Sequence, residues 1–296
     1  MFGKMRSMKG KTVGKVIGTN GVKTDQIVGI PVFGGDRVRV LKLVRDWLGS
    51  KDNKVRFVAT VNPEHIMAAQ MDQSYLKLLK GTSLNVADGI ALVWARELRA
   101  RNLKRETRNK NNTIKLISRL WLGWKIGIEV LRGRYEKEVV AGSSLMDDLA
   151  KMAKDMDYRV MYLGGWEDRA MRTAQYFEKK YPGLKVAACR GEPDMTKDEV
   201  LSQIRKLEPD ILLVAYGMKK QEEWIAKNMD VLAQSSVRLA MGVGRSFDYY
   251  SGDLKRAPKG WRKMGLEWLY SLIREPRRWR RQMVLPRFVK KVVIDK

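Results

Sequence analysis

The sequence predicts an α/β protein with a Rossmann-like, mostly parallel sheet covered by helices, followed by a basic helical appendage at the C-terminus. Short β-like segments alternate with helical ones between residues 54 and 244, which is the pattern of a parallel sheet. After residue 255 the alternation ends, and an arginine-rich stretch begins whose apolar residues have helical spacing. The 296 residues, 44% of them hydrophobic, are enough to bury a core of this size.

Six apolar segments are the predicted strands. In chain order they are KVRFVATVN (54–62), TSLNVAD (82–88), YRVMYLGG (158–165), LKVAAC (184–189), DILLVAYG (210–217) and VRLAMGVG (237–244). Helical segments separate them. The first is predicted to run from Pro63 to Gly81, because proline is favoured at a first helical position and glycine at a helix end. The second, GIALVWARELRA, follows Asp88 directly.

Polar and glycine residues stand where several of these strands end. In a parallel sheet the carboxyl ends of the strands meet at one edge, and ligands bind in the crevice beyond it. We therefore expect one crevice to hold the strand-end residues Asn62, Asp88, Gly164, Gly217 and Gly244.

The chain divides into three predicted parts. Residues 1–29, rich in lysine and glycine, are predicted to be a mobile basic arm, residues 30–255 the Rossmann-like domain, and residues 256–296 the appendage. The domain carries a basic amphipathic insertion at about residues 98–136, which contains the helical pattern TIKLISRLWLGWKIGIEVLRG. Two interpretations of this helix stay open: it lies in a lipid interface, or it packs on the core or on a partner subunit.

The charge of the chain predicts a polyanionic partner. Lysine and arginine number 59 against 33 acidic residues, a net charge of +26, so nucleic acid and an anionic membrane surface are both candidates. One cysteine, Cys189, excludes an intrachain disulfide, and one histidine, His65, cannot build a histidine-rich metal site. We expect a reducing, cytoplasmic setting, and no apolar run is long enough for a signal peptide or a membrane-spanning helix.

Several motifs in a fixed order resemble the WecG/TagA/CpsF glycosyltransferase family. They are TVNPEHIMAAQ, NVADGIALVWA, EVVAGSSLM, YLGG, YPGLKV, PDILLVAYGMKKQEEWIAKN and the long stretch that includes GVGRSFDYY and GLEWLYSLIREPRRW. The resemblance runs from about Arg56 to Arg281, with the stretch between Leu98 and Glu136 as an insertion. The family pattern has other residue types at Val139, Ser144 and Lys219, so the choice of substrate is expected to differ.

The resemblance implies an inverting, metal-independent transferase without a cofactor. Such an enzyme moves a hexosamine-type sugar, such as N-acetylmannosamine or its uronic acid, from a UDP donor to a polyprenyl-diphosphate-linked sugar in the synthesis of surface polysaccharides or wall polymers. It also implies a peripheral protein on the inner face of the cell membrane, whose appendage helps to close the active site and touches anionic lipid. Assembly into a homo-oligomer stays open.

The resemblance assigns the catalytic role to Asp88, as the base that removes a proton from the acceptor hydroxyl. The alternative is that Asp88 caps the helix beginning at Gly89. Thr60 and Asn62 match polar positions that contact a sugar, although Asn62 before Pro63 is also a good helix cap. Gln221 matches a contact to the nucleotide or the sugar.

The remaining predicted site residues are glycines and arginines. Gly242 and Gly244 match a glycine turn near the donor diphosphate, where Arg245 either contacts phosphate or points outward, and Gly164 suits a similar turn. Arginines of the appendage are predicted to contact the diphosphate or the membrane, with salt bridges to Glu267 or Glu275 as the alternative. They are Arg274, Arg277, Arg278 and Arg281.

Two other functions stay open at this point. A net charge of +26 with nine tryptophans would also serve a nucleic-acid-binding protein, although the family resemblance predicts no specific nucleic acid. An inactive family member could act as an assembly subunit, but the intact Asp88 argues against this. The acidic pair Asp155 and Asp157 precedes a predicted strand, at the edge of the sheet opposite the crevice, so we do not predict a metal site there.

Overall fold

The computed structural model describes residues 15–17, 22–52, 54–103, 112–192 and 194–294. In these residues nine strands form two sheets. The strands are β1 (Lys15–Ile17), β2 (Lys23–Ile27), β3 (Ile30–Phe33), β4 (Arg56–Val61), β5 (Leu84–Ala87), β6 (Arg159–Gly164), β7 (Lys185–Cys189), β8 (Ile211–Ala215) and β9 (Leu239–Gly242).

Fifteen α-helices and two short 3₁₀ turns, Glu136–Glu138 and Pro276–Arg278, lie in the same described ranges. The helices are α1 (Arg37–Leu48), α2 (Pro63–Met71), α3 (Gln73–Gly81), α4 (Ile90–Leu103), α5 (Asn112–Leu131), α6 (Gly142–Asp155), α7 (Arg169–Lys180), α8 (Lys197–Leu207), α9 (Lys220–Lys227), α10 (Met229–Ala233), α11 (Ser246–Tyr250), α12 (Lys259–Lys263), α13 (Glu267–Arg274), α14 (Trp279–Gln282) and α15 (Val284–Ile294).

The central sheet has six parallel strands in the order β5-β4-β9-β8-β6-β7. All six predicted strand segments are present, so the predicted fold class is confirmed. Strand β8 is buried along its whole length, as expected for a strand covered by helices on both faces. Because every neighbouring pair is parallel, the carboxyl ends of all six strands lie at one edge of the sheet.

Two hydrophobic cores lie on the two faces of this sheet. One core joins the strands to side chains of α2, α3, α4, α8, α9 and α15. The other joins them to α1, α6, α7 and α11. The helices that carry the candidate site, α2, α4, α6 and α9, are thus fixed to the sheet from both sides.

A small antiparallel sheet, β1-β2-β3, precedes the central one. Residues 15–17 and 22–29 of the predicted N-terminal arm thus contain strands β1 and β2, whereas residues 1–14 and 18–21 of that arm lie outside the described residues. Tertiary contacts fix the sheet: Asn85 Nδ2 donates to the carbonyl oxygen of Pro31 at 2.9 Å, and Gln70 Nε2 donates to that of Val28 at 3.1 Å. Strands of three to five residues are too short to show a clear periodicity in the sequence.

The helix predicted from Pro63 to Gly81 is two helices in the structure. Asp72 between them has an extended backbone, with φ −137° and ψ 105°. Its carboxylate accepts hydrogen bonds from Ser74 N at 2.9 Å and Tyr75 N at 3.1 Å, and so caps α3. The side chain of an aspartate competes with helical backbone hydrogen bonds, which is why the chain breaks at this position.

The predicted insertion begins within α4 and contains α5, while its residues 104–111 lie outside the described ranges. Helix α5 packs on α4, where Trp94 Nε1 donates to the carbonyl oxygen of Gly123 at 2.9 Å. A Cβ atom at Gly123 would lie 2.9 Å from the Trp94 ring, so only glycine allows this approach. One face of α5 thus packs on the core, as the second of the two interpretations predicted.

The C-terminal segment is helical, as predicted, and it folds back onto the domain. Helix α15 buries Phe288 and Val293 in the core that also contains α2, α4 and α5. Among the described helices, none is both long enough and apolar enough to cross a membrane.

Candidate active site

A cleft of about 390 Å³ opens where β4, β5 and β9 end. Its floor is formed by the residues that follow these strands, including Asn62, Asp88 and Gly244. Its roof comes from the C-terminal appendage, which contributes side chains of α13, α14, α15 and the 3₁₀ turn between them. Residues of the predicted crevice and residues of the appendage therefore line the same cleft.

Asp88 lies in the floor of this cleft, directly after β5. Its backbone N–H donates to the carbonyl oxygen of Val61 at 2.7 Å, and Gly89, with φ +110°, then turns the chain into α4. Within the described residues its carboxylate has one hydrogen bond, from Gly142 N at 3.4 Å at the start of α6. The carboxylate therefore does not cap α4, and it faces the space in which a substrate would lie.

The surroundings of Asp88 raise its pKa to about 6. Burial is the main cause, because the ionised carboxylate loses contact with water, and the negative charge of Glu267 adds to the effect. The Gly142 N–H and the positive charges of His65 and Arg256 lower it in part. At neutral pH the group is mostly ionised, and its pKa is close enough to neutrality for proton transfer in both directions.

Glu267→Gln is expected to shift the acidic limb of the pH–activity profile to lower pH. The substitution removes a negative charge that raises the Asp88 pKa, and it releases Arg256, whose Nε lies 3.3 Å from Glu267 Oε1. Asp88 would then stay ionised, and able to accept a proton, in more acidic solution. The measurement is kcat/KM against pH, with the exposed Glu178→Gln on α7 as the control. An unchanged acidic limb in E267Q would contradict this account.

Five of the predicted substrate-binding residues lie on the wall of the cleft: Thr60, Asn62, Gln221, Gly244 and Arg245. Thr60 Oγ1 donates to the carbonyl oxygen of Gly242 at 3.0 Å. Asn62 Oδ1 accepts from Glu64 N at 2.9 Å and from His65 N at 3.2 Å, so Asn62 caps α2 as the alternative interpretation predicted.

Gln221 is almost fully buried, and both ends of its amide have protein partners. Its Nε2 donates to Glu222 Oε1 at 2.7 Å, and its Oε1 accepts from Gly244 N at 2.9 Å. These bonds fix the turn at Gly244, which has φ +55°. Gly242 lies beneath this pair and does not line the cleft, because a Cβ atom there would lie 2.7 Å from Gln221 Nε2. Close packing with Gln221 therefore accounts for the glycine at 242.

Gly164 is also displaced from the cleft wall. It has φ +89°, and a Cβ atom there would lie 2.7 Å from the Tyr216 ring. The following residue, Gly165, reaches the surface of a second lobe of the cleft, which has a volume of about 790 Å³ beyond the ends of β6 and β8. The two lobes share the residues Gly217, Gly244, Arg245, Arg278 and Arg281.

The four predicted arginines of the appendage separate into two pairs. Arg278 and Arg281 line both lobes, whereas Arg274 and Arg277 are exposed and line neither. Arg281 Nη2 lies 2.5 Å from Glu64 Oε2, and Arg278 Nη1 lies 3.6 Å from Glu275 Oε2. The pair between Arg278 and Glu275 is one of the predicted salt bridges, whereas Arg281 pairs with Glu64, which was not predicted. Both pairs hold guanidinium groups at the cleft.

Arg245 points along the cleft and does not turn away from it. Its Nη2 lies 2.7 Å from Glu275 Oε1, and its Nε lies 3.6 Å from Asp248 Oδ2. Lys219, by contrast, is directed away from the shared wall, since its Nζ pairs with Asp72 Oδ2 at 2.8 Å. Arg245 therefore lines both lobes, where an anionic ligand could meet it, whereas Lys219 lines neither.

Several residues of the site were not predicted from the sequence. Glu267, Trp268, Arg262 and Tyr249 line the lobe that contains Asp88, and Trp166 lines the second lobe. Glu267 and Trp268 stand in the motif GLEWLYSLIREPRRW, so the signal was present for these two. Tyr249 stands in the motif GVGRSFDYY. Arg262 and Trp166 reach the cleft through tertiary packing, which has no signature in the sequence.

A buried polar network supports the floor of the cleft. Glu222 is fully buried, and its carboxylate accepts from Gln221 Nε2 at 2.7 Å, Lys219 N at 2.7 Å and Tyr75 Oη at 3.2 Å. His65 Nε2 lies 3.5 Å from Glu222 Oε1. His65, the lone histidine of the sequence, is buried and is joined to Asn62 and Glu222. Burial opposes ionisation of Glu222, but these partners together lower its pKa.

Glu222→Ala is expected to lower the free energy of unfolding by about 3 kcal/mol, because it leaves several buried donors without an acceptor. Chemical denaturation measures the change. Glu223→Ala is the matched control, since the neighbouring Glu223 is half-exposed and lies 3.8 Å from Lys219 Nζ. Equal stability of the two variants would contradict the role of the network.

A parallel sheet with a carboxyl group of raised pKa at its carboxyl edge, in a cleft that arginine side chains also line, is typical of an enzyme that transfers a group from an anionic leaving group. The profile of the Glycosyl transferase WecG/TagA/CpsF family matches residues 25–124 and 123–296. The chain therefore belongs to this family and is a glycosyltransferase, as the motifs predicted.

Curated relatives agree with this assignment. The chain is similar to the N-acetylglucosaminyldiphosphoundecaprenol N-acetyl-beta-D-mannosaminyltransferase of Staphylococcus aureus strain MW2, with 26% identity over 275 residues and 93% of each chain covered. The enzyme of the same name from Staphylococcus aureus strain NCTC 8325 matches with the same identity and coverage. The names of these relatives state both the sugar that they transfer and a lipid-diphosphate acceptor.

Proposed function

We propose that this glycosyltransferase moves a hexosamine-type sugar, such as N-acetylmannosamine or its uronic acid, from a UDP donor to a sugar linked to polyprenyl diphosphate. The product would be a precursor of a surface polysaccharide or a wall polymer. The observation that carries the proposal is the shared cleft, in which Asp88, with its raised pKa, lies below Arg278 and Arg281. The names of the relatives support both the transferred sugar and the type of acceptor.

In the proposed reaction the acceptor hydroxyl lies beside Asp88. Its oxygen attacks the anomeric carbon of the donor sugar while the carboxylate takes the hydroxyl proton. The bond between the anomeric carbon and the diphosphate oxygen breaks, and UDP leaves with the electron pair. Because attack and departure occur on opposite faces of the anomeric carbon, the configuration inverts.

The donor would occupy the second lobe, with its diphosphate at the boundary between the lobes. Arg245, Arg278 and Arg281 lie on that boundary, where guanidinium groups can stabilise the negative charge that develops on UDP. We propose that these groups carry out this task without a metal ion or another cofactor. Thr60, Asn62 and the loop held by Gln221 would position the sugars, with Gly164 and Gly242 in supporting roles beneath.

On this proposal the enzyme works as a peripheral protein at the cytoplasmic face of the cell membrane. The net charge of +26 supports attraction to anionic lipid, at about 1 kcal/mol for each basic residue near the surface. Arg274 and Arg277, which are exposed on the appendage away from the cleft, are candidates for this contact. The buried polyprenyl acceptor would then be reached without release from the bilayer.

The test is a screen of UDP-sugars with a short-chain lipid-diphosphate-N-acetylglucosamine as acceptor. We expect release of UDP together with a product heavier by one sugar residue, in the presence of EDTA, with the anomeric configuration inverted in the NMR spectrum. If no UDP-sugar binds even at high concentration, the proposed donor is wrong. Binding of a UDP-sugar without transfer to any acceptor would instead support an inactive assembly subunit.

A further inference from the structure

Helix α5 has an apolar face that no described part of the chain covers. Ile117, Leu120, Trp121, Trp124 and Leu131 are all exposed, and Trp124 is 65% exposed. Their spacing of three, four, seven and fourteen residues from Ile117 places them on one side of the helix. A helix of 20 residues is about 30 Å long, so this face is a continuous stripe along most of the insertion.

The opposite face of α5 is firmly attached to the domain. Leu122, Gly123 and Ile126 are buried there. Arg101 of α4 forms two hydrogen bonds with the carboxylate of Glu129, at 3.0 and 2.8 Å. The face of α5 that packs on the core is thus the opposite one, so the apolar stripe is a second, separate apolar surface of the helix.

Basic side chains border the apolar stripe. Lys125 Nζ lies 4.0 Å from the centre of the Trp121 ring, and Arg132 and Arg134 are exposed just after the helix. Tryptophan beside lysine or arginine, with an apolar body and a polar tip, is the side-chain chemistry of a helix in the headgroup region of a bilayer. The net charge of +26 favours an anionic lipid surface and opposes a second copy of the same chain.

We propose that α5 is a membrane-docking helix that inserts its apolar stripe into an anionic lipid bilayer. The contact is additional to any made by the basic appendage, because α5 belongs to the insertion between β5 and α6. Binding itself does not depend on the proposed sugar transfer. Its use for catalysis does rest on that proposal, since docking would bring the cleft to a lipid-linked acceptor.

The position of α5 supports this role, because the helix touches the appendage that roofs the cleft. Arg119 Nη1 donates to the carbonyl oxygen of Val293 in α15 at 3.2 Å. Just beyond the other end of α5, a Cβ atom at Gly133 would lie 2.8 Å from the side chain of Lys263, the last residue of α12. Docking of α5 therefore sets the height of the appendage, and with it the mouth of the cleft, relative to the bilayer surface.

The experiment compares binding of the full chain to vesicles of phosphatidylcholine alone and vesicles mixed with phosphatidylglycerol, measured by co-sedimentation. We expect Trp121→Ser/Trp124→Ser to weaken binding to the anionic vesicles by about tenfold or more. The matched control is Met71→Ser/Met171→Ser, which replaces two exposed apolar side chains on α2 and α7 and should bind as the parent does. Turnover of a water-soluble short-chain acceptor should be the same in all three proteins. A failure of the docking proposal can therefore be distinguished from a failure of the proposed reaction.

Two results would overturn the proposal. One is equal binding of the tryptophan variant and the parent to anionic vesicles. The other is a change in oligomeric state of the tryptophan variant in sedimentation velocity without lipid, which would make the stripe an interface between copies. A measurement on the parent protein checks the depth: lipids brominated in their acyl chains should quench a part of the tryptophan fluorescence that the variant lacks.

Discussion

Asp88→Asn is expected to lower kcat by about 10²- to 10⁴-fold, the usual contribution of a general base. The amide has the shape of the carboxylate, and its oxygen can still accept the hydrogen bond from Gly142 N. It cannot accept the proton of an acceptor hydroxyl. The substitution removes an interaction that is made only in the transition state and leaves the substrate contacts in place. We therefore expect kcat to fall with little change in KM.

The pH profile gives an independent check of the same assignment. In the parent enzyme kcat/KM should fall as the pH decreases through about 6, because protonated Asp88 can no longer take a proton. The residual activity of D88N should show no such limb. Asp46→Asn, on the exposed face of α1, is the control and should behave as the parent does. Full activity of D88N, with an unchanged acidic limb, would rule out Asp88 as the base.

The central sheet could be predicted from the sequence because most of its strands are buried on both faces. Segments such as DILLVAYG are continuously apolar and end at glycine, so strand, boundary and parallel topology follow together. The break at Asp72 and the sheet β1-β2-β3 could not be predicted in the same way. The sheet depends on hydrogen bonds between residues far apart in the sequence, such as the one from Asn85 to Pro31. The break depends on the local cap that Asp72 forms with Ser74 N and Tyr75 N, and the apolar pattern of the segment does not show it.

Topology also placed Asn62, Asp88 and Gly244 correctly at one crevice, because a residue that follows a parallel strand must lie at the carboxyl edge. Topology alone does not distinguish residues that line the crevice from residues that lie in the layer beneath it. Gly242 is paired with Ala59 in the sheet and lies under Gln221, so its role depends on register. Gly164 is likewise covered by Tyr216, which follows a different strand. Such differences of one residue are set by packing, and local sequence does not encode them.

The appendage shows a similar limit. Its basic, helical character is evident from composition and spacing, but the direction of each arginine depends on how a 3₁₀ turn and short helices follow one another. Helix α13 ends at Arg274, and the turn Pro276–Arg278 then changes the course of the chain before α14. The sequence offered four equivalent arginines, and the structure brings two of them to the cleft.

Arg278→Ala/Arg281→Ala is therefore expected to lower kcat/KM by about 10²- to 10³-fold, while Arg274→Ala/Arg277→Ala retains most of the activity on a water-soluble acceptor. Both double variants remove the same charge from the same appendage, so a general loss of electrostatic attraction would affect them equally. Only the first pair lines the two lobes where a departing diphosphate would lie. Steady-state kinetics with a UDP-sugar measures the difference, and similar losses in both variants would show that the arginines act through overall charge.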